Sequence, residues 1–377
     1  MVYMNLANKW RPTRFKDIVG NEKIARILKN AVLYEKISNA YVLVGPCGIG
    51  KTSLARIFAM AMNCEDLQEG EPCNVCKSCI NILNGIHIDV IEIDGASNNS
   101  VEDIRKLREE IKFVPSVSKY KVYIVDEVHM LSNAAWNAFL KTLEEPPSYV
   151  KFIFATTEAN KVITTVMSRC QRLNLQKLSN EIILNRLNYI ANIEKINIDE
   201  DALRIIVNMS SGGIREALFT LEQVVVSLSN QDYLIDDKYI YDIFGITDKE
   251  SLILIVRSIL KKDYNNLLIE INRVANTGKD LKDLFVNILE CLRNIEIVML
   301  TSNSNSILEL DIKTIKEYTE LSKYTNLEFL QNIIDFLISL NGMTYNFIEQ
   351  RNIISISLIR AIRFASNKED LVLSRKV

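Results

Sequence analysis

The chain has 377 residues, little glycine or proline, and a formal net charge of −2 from 45 basic and 47 acidic side chains. That length allows two or three domains, each able to bury its own core, and the composition is that of an ordered, helix-rich protein rather than a disordered or fibrous one. Near-neutrality argues against a basic nucleic-acid-coating protein; no apolar run approaches bilayer-crossing length, and Met1-Val2-Tyr3-Met4-Asn5 lacks a signal-peptide pattern, so no membrane association and a cytoplasmic location are expected.

Taken in chain order, Ala40–Val44 reads as a short buried strand that feeds a glycine loop, and Lys51–Met62 as the helix after it. Further strand-like runs lie at Val90–Asp94, Lys121–Asp126 and Lys151–Thr156, with a fifth near Arg172–Leu175. Helical patterns at Val101–Lys112 and Asn133–Leu143 separate them. Apolar strands alternating with amphipathic helices predict an α/β fold with a doubly wound parallel sheet. After Lys177 the strand signals fade. Glu181–Asn192, Asp201–Ser210, Arg215–Ser227 and Asp236–Phe244 read as a small helical domain, with Gly212-Gly213 breaking the pattern before the third. From Gly245 onward the pattern is helical to the end: Glu250–Lys261, Tyr264–Ala275, Leu281–Met299, Leu327–Leu340 and Asn346–Ala365. No catalytic cluster is visible there, so that stretch is expected to serve packing or assembly.

The chemistry is concentrated early. Gly45-Pro46-Cys47-Gly48-Ile49-Gly50-Lys51-Thr52-Ser53 carries the full Gly-x-x-x-x-Gly-Lys-Thr spacing in the strand-to-helix context it requires. Its glycines let backbone N–H groups turn inward around phosphate oxygens, where a helix N-terminus adds favourable potential. Lys51 is expected to reach the β- and γ-phosphates, and Thr52 to ligate Mg²⁺. Asp126 and Glu127 end an apolar strand, so one carboxylate can hold the Mg²⁺ shell and the next can polarise the attacking water. With His87 and His129 the only histidines, histidine triads and helical His-Glu metalloprotease sites are excluded, and His129 reads as a packed or surface residue.

Seven cysteines, four of them clustered, fit a reducing compartment and metal binding rather than a disulfide framework. Cys64, Cys73, Cys76 and Cys79 supply four thiolates, enough for a closed tetrahedral Zn²⁺ site that would be structural; an iron–sulfur cluster matches the ligand type, but nothing else nearby looks redox-active.

These motifs resemble the gamma/tau subunits of bacterial DNA polymerase III, the motors of the replicative sliding-clamp loader. The resemblance rests on Leu6-Ala7-Asn8-Lys9-Trp10-Arg11-Pro12, Val19-Gly20, the phosphate loop, the four-cysteine insert and Ile91-Glu92-Ile93-Asp94. It continues through Asp126-Glu127-Val128-His129-Met130-Leu131, Leu140-Lys141-Thr142-Leu143-Glu144-Glu145-Pro146-Pro147, Ala155-Thr156-Thr157, Ser168-Arg169-Cys170 and Gly213-Ile214-Arg215-Glu216-Ala217-Leu218. It implies an AAA+ ATPase domain over residues 1–178 with a zinc module at 64–79, a helical lid over 179–244 and a helical collar over 245–377 that closes subunits into a pentamer. It further implies that Ala7, Arg11, Pro12 and Val19 surround the adenine, and that Gly45, Gly48, Ile49, Gly50, Lys51, Thr52 and Ser53 hold the phosphates. Thr157 would be the polar sensor near the γ-phosphate, Arg215 the lid arginine that reports bound ATP, and Arg169 an arginine finger inserted into a neighbour's site. The implied partners are delta- and delta-prime-type subunits, the sliding clamp and primed DNA, with the ATPase acting inside the polymerase III holoenzyme.

Two departures stand out. Cys47 occupies a loop position where relatives often carry arginine, and Asn98-Asn99-Ser100 is uncharged where some relatives carry basic residues facing DNA, which leaves Lys141 as the candidate DNA contact. Tau-type relatives extend beyond a collar, so helicase- and polymerase-binding domains are expected to be absent. A DNA-translocating AAA+ motor and a non-hydrolysing zinc scaffold subunit are the alternative readings.

Overall fold

The computed structural model describes residues 4–228, 233–277, 279–301, 307–308, 310, 312–340 and 350–374. They form two compact units, one ending at Ile235 and the other starting at Asp236. The first contains five strands: β1 (Ala40–Val44), β2 (Val90–Asp94), β3 (Lys121–Asp126), β4 (Val150–Thr156) and β5 (Gln171–Asn174). All pair in parallel in the order β2-β3-β4-β1-β5, with Val42 opposite Phe154 and Arg172, and Ile91 opposite Tyr123.

Burial follows position in the sheet. Every residue of β4, and all but the last of β1 and β3, is buried, whereas the edge strands β2 and β5 are partly exposed. That is why the central strands read as unbroken apolar runs. Because successive side chains point to opposite faces, each strand feeds two cores. Tyr41, Leu43, Val122, Ile124 and Ile153 pack with α2 (Glu22–Leu33) and α3 (Lys51–Asn63). Val42, Tyr123, Val125, Phe152 and Phe154 pack with α5 (Val101–Ile111) and α6 (Asn133–Glu144). On the second face the ring of Phe139 meets Phe152 and Phe154 edge-on, at centroid distances of 5.2 and 5.7 Å.

Four helices of this unit, α1 (Leu6–Lys9), α2, α4 (Lys77–Leu83) and the four-residue α7 (Thr164–Met167), lie outside the sequence expectations. The short α1 and α4 are one or two turns long, and α4 starts on the Cys76 side chain, which accepts the Cys79 N–H. Such segments have no run long enough to show a period. The twelve-residue α2, by contrast, buries Ala25, Leu28 and Val32 at helical spacing and was readable. After α7, the unit closes with α8 (Asn180–Glu194), α9 (Glu200–Met209) and α10 (Ile214–Ser227). Ser179 and Asp199 cap α8 and α9 by accepting the N–H groups of Ile182 and Ala202.

The second unit is helical: α11 (Asp237–Phe244), α12 (Lys249–Leu260), α13 (Tyr264–Asn276), α14 (Leu281–Leu300), α15 (Ile312–Ser322), α16 (Leu327–Ser339) and α17 (Gln350–Ser374). Helix α11 therefore groups with the later helices rather than with α8–α10. One apolar cluster, including Ile259, Leu267, Leu284, Ile288, Leu292, Phe329, Leu330, Leu358 and Ile362, holds α12, α13, α14, α16 and α17 together. Five starts repeat one device: Asp236, Asp248, Asp263, Asp280 and Asn326 each accept a backbone N–H from the first turn that follows. The expected helix Asn346–Ala365 corresponds to α17; its residues 346–349 lie outside the described residues. Helix α15 was not expected. Among the described residues, no helix is long and apolar enough to cross a membrane.

Candidate functional site

The phosphate loop leaves β1 at Gly45 and enters α3 at Lys51. Gly48 and Gly50 lie in the left-handed region, at φ 71° and 96°, where residues with a Cβ are strained. The buried Lys51 ammonium donates to the carbonyls of Gly45 at 2.9 Å and Pro46 at 2.7 Å, so the loop's own oxygens hold it. Burial lowers its pKa from the ordinary lysine value, opposed by the nearby Glu127 and Asp126 carboxylates. The Thr52 hydroxyl donates to Asp126 Oδ2 at 2.5 Å, joining the start of α3 to the tip of β3.

Beyond Asp126 the backbone turns sharply. Glu127 sits at φ 46°, a left-handed conformation that costs a non-glycine residue about 1–3 kcal/mol and that its surroundings must over-determine. Three contacts do so: Gly95 N–H donates to Asp126 O at 2.8 Å, Met130 N–H to Glu127 O at 2.9 Å, and Glu127 N–H to Asp126 Oδ1 at 2.9 Å. A Cβ on Gly95 would lie 2.8 Å from Asp126 O and 2.9 Å from Glu127 O, so only glycine lets the loop after β2 come this close. Thr157, just past β4, places its hydroxyl 3.5 Å from Glu127 Oε2. His129 packs against the same carboxylate, with Nδ1 3.3 Å from Glu127 Oε2.

A single cleft collects most of these groups, while Thr157 and His129 stand against Glu127 without lining it. Ala7, Arg11, Pro12, Val19, Gly48, Ile49, Gly50, Lys51, Thr52, Ser53, Asp126, Glu127 and Arg215 all line it. Gly45 supports it from behind through Lys51. The N-terminal arm is fixed on the helices beyond the sheet: Leu6 N–H donates to Glu222, Lys9 pairs with Glu194 at 2.7 Å, and Trp10 Nε1 donates to Glu194 at 2.8 Å. Burial, then the like charges of Arg56 and Arg215, holds the Arg11 guanidinium below its ordinary pKa. A site that crowds cations in this way favours a polyanion.

Helix α10 reaches the loop from the other side. Arg215 N–H donates to Gly48 O at 3.3 Å. One carboxylate oxygen of Glu216 is buried without a hydrogen-bond partner, packed where a Cβ on Gly48 or Gly213 would stand. The sequence motif Gly213–Leu218 contains Glu216 but gives it no role, and Arg186, which lines the cleft with its guanidinium over the rings of Trp10 at 5.6 Å and Tyr189 at 5.5 Å, lies outside every motif. Neither sits in a phosphate-binding or carboxylate motif, and only the docking of the arm on α8 and α10 shows them.

Arg169 and Lys141 lie outside the cleft. Arg169 follows α7 just before β5 begins, and its guanidinium is taken by Glu144 at 2.8 Å and by the Thr165 carbonyl at 2.7 Å. Since β5 runs parallel to β1, with Gln171 opposite Tyr41 and Asn174 opposite Val44, Arg169 lies at the end of the sheet away from the phosphate loop. Four to five strand residues separate the two ends, roughly 15 Å. Lys141 is an exposed residue of α6.

The four cysteines gather between α3 and α4 with their sulfur atoms all within 4.8 Å of one another. Cys73 and Cys79 are buried, Cys64 and Cys76 partly so, and all are free thiols. Each of the three linking steps is closed by a backbone bond: Cys73 N–H to Cys64 Sγ at 3.3 Å, Cys76 N–H to Cys73 Sγ at 3.3 Å, and Cys79 N–H to Cys76 Sγ at 3.4 Å. Burial raises the Cys64 and Cys79 thiols, whereas at Cys73 the N–H groups of Val75 and Cys76 outweigh burial and bring the thiol down to about 7. Four converging sulfurs, with N–H groups that stabilise thiolate, fit a closed four-coordinate site for a thiophilic ion.

Three family models match the chain. One described as DNA polymerase III, delta subunit, covers residues 20–179; an RCF1/5-like AAA+ ATPase lid domain covers 185–225; and DNA polymerase III subunits gamma and tau domain III covers 235–377. The DNA polymerase III subunit tau of Bacillus subtilis (strain 168) is 41% identical over 337 residues, 89% of this chain and 59% of that protein. The DNA polymerase III subunit gamma of Buchnera aphidicola subsp. Acyrthosiphon pisum is 37% identical over 365 residues, 96% of this chain and 99% of that protein. Among solved structures, the Thermotoga maritima RuvB Holliday junction branch migration motor aligns over 72% of this chain and 86% of its own, at 18% identity and a TM-score of 0.47. With a relative matched end to end and the three domain models in register, the chain belongs to the DNA polymerase III gamma/tau family.

Proposed function

We propose that the chain is the ATP-hydrolysing motor subunit of a replicative clamp loader, using ATP binding to grip and open a sliding clamp and hydrolysis to release it on primed DNA. The observation that carries this reading is the convergence of Lys51, Thr52, Asp126 and Glu127 in one cleft roofed by Arg11 and Arg215. Three hydrogen bonds fix the backbone of Glu127 in its left-handed conformation, which sets the root of its carboxylate beside the cleft.

In this reading Ala7, Arg11, Pro12 and Val19 flank the adenine, and Lys51 leaves the Gly45 and Pro46 carbonyls for the β- and γ-phosphates. Thr52 and Asp126 would hold Mg²⁺, which would offset the charge gathering on the phosphate oxygens. Glu127 accepts a proton from water as the water oxygen bonds the γ-phosphorus and the bond to the β-phosphate oxygen breaks, giving ADP and phosphate. Thr157 touches Glu127 and senses the γ-phosphate, while Arg215 ties the state of the lid to it. Arg169 would complete the site of a neighbouring subunit. The cysteine cluster would carry a structural Zn²⁺. Delta- and delta-prime-type subunits, the clamp and primed DNA are the partners this implies, with Lys141 a candidate DNA contact.

The test is ATP turnover by the purified chain as partner subunits, clamp and primed template are added in turn. Turnover is expected to be low for the chain alone, to rise with the full set, and to vanish in Lys51→Ala protein. Full turnover by the isolated chain, or stimulation by duplex DNA without clamp, would overturn the reading; the second result would indicate a translocating motor.

A further inference from the structure

His129 sits two residues beyond Glu127 and shares its carboxylate. Its side chain is only 9% exposed, and both ring nitrogens are engaged: Nδ1 lies 3.1 Å from Thr156 Oγ1 and 3.3 Å from Glu127 Oε2, while Nε2 faces Glu158 Oε1 at 3.5 Å. The Thr156 hydroxyl is itself fully buried and accepts the Glu158 N–H at 3.0 Å, so the partner that fixes the ring edge is fixed in turn. The Glu158 carboxylate is tied to Lys161 at 2.8 Å. The imidazole therefore stands rigidly between the end of β4 and the turn after β3, with one edge on the carboxylate that faces the cleft. A proton on Nδ1 has two acceptors within reach, Thr156 Oγ1 at 3.1 Å and Glu127 Oε2 at 3.3 Å, so the ring can hold the carboxylate when Nδ1 is the protonated nitrogen. Contacts of 3.3 and 3.5 Å around Glu127 are the loose geometry expected before substrate tightens a catalytic hydrogen bond.

We propose that His129 is a positioning residue for hydrolysis: through Nδ1, and together with Thr157, it sets the direction of the Glu127 carboxylate toward the attacking water. The proposal rests on the assignment of Glu127 as the base. It requires that loss of the imidazole slow turnover without weakening ATP binding, because His129 does not line the cleft itself. It also requires that the effect pass through Glu127 and nothing else.

The experiment compares His129→Leu, His129→Asn and Glu127→Gln, and the Glu127→Gln/His129→Leu double variant, in the fully assembled complex with clamp and primed DNA. Asparagine keeps an N–H donor near the Nδ1 position, whereas leucine keeps only bulk. His129→Leu should lower kcat about tenfold or more, with ATP affinity within about twofold of wild type. His129→Asn should recover most of the turnover, and in the Glu127→Gln background His129→Leu should add no further loss. Near-wild-type turnover in His129→Leu, a loss that persists undiminished in the double variant, or an asparagine variant as slow as the leucine one would each overturn the positioning role. Undiminished turnover in Glu127→Gln would instead remove the base itself, and with it the hydrolytic reading on which this inference stands.

Discussion

The phosphate loop and the turn after β3 are both built on backbone conformations that side chains resist, and their cost is concentrated at a few residues. Gly48 combines a left-handed φ of 71° with a Glu216 oxygen 1.7 Å from where a Cβ would be. The carboxylate is the end of a flexible side chain and can move aside; the backbone cannot change sign so easily. Gly48→Ala should therefore weaken ATP binding about tenfold, since holding a non-glycine residue left-handed costs roughly 1–2 kcal/mol. Titration with a fluorescent ATP analogue checks this, and an isotherm matching wild type would show that the loop does not need that conformation to bind. Lys51, Thr52, Asp126 and Glu127 were legible because phosphate loops and strand-tip carboxylates are local patterns whose meaning survives without the fold. The contacts of His129, Arg186 and Glu216 were not, because each exists only where separate elements meet: β3 with β4, the N-terminal arm with α8, α10 with the loop.

At the scale of elements, side chains that close hydrogen-bond gaps recur at the starts of helices. Asp248 shows how such a cap couples to pH. Burial works against its charge, but Lys279 at 2.9 Å and the Ser251 N–H outweigh it and hold its pKa down at about 2. A carboxyl depressed below its ordinary value near 3.8 contributes stability above that value, which is lost as pH falls toward the folded pKa. Asp248→Ala should cost about 1 kcal/mol at neutral pH, mostly from the cap because the ion pair is partly exposed. Melting curves should show the gap between variant and wild type intact at pH 6 and narrowing between about pH 4 and pH 2. A gap that stays constant over that window would mean that the charge on Asp248 is irrelevant. The caps also explain why most helices could be read from sequence: Asp or Asn ahead of an apolar period marks a start without any tertiary knowledge. Two of the helices missed through lack of period, α1 and α4, take their form from what they dock on, the lid for one and the cysteine cluster for the other.

At the scale of the whole molecule, the parallel sheet determines where each functional group can act. All strands deliver their carboxyl ends to one edge, where the loops after β1 and β3 supply groups around Lys51 and the loop after β4 sets Thr157 against Glu127. Arg169, placed just ahead of β5, is carried to the other edge and rests on Glu144. Arg169→Ala should leave nucleotide affinity unchanged while lowering hydrolysis in the mixed assembly by roughly a thousandfold, the scale of an arginine supplied in trans. Turnover in that assembly equal to wild type would dismiss the role.

The opposed placement of loop and arginine has an arithmetic consequence. If each chain lends its arginine only to the next, the working unit is the seam between two chains, and an open row of such chains has one fewer working seam than it has members. The last pocket in the row can still take up ATP but lacks the group that fires it. Dilution that splits the row would silence it sooner than any loss of fold, and a mutant chain mixed with wild type would cripple its neighbour rather than itself.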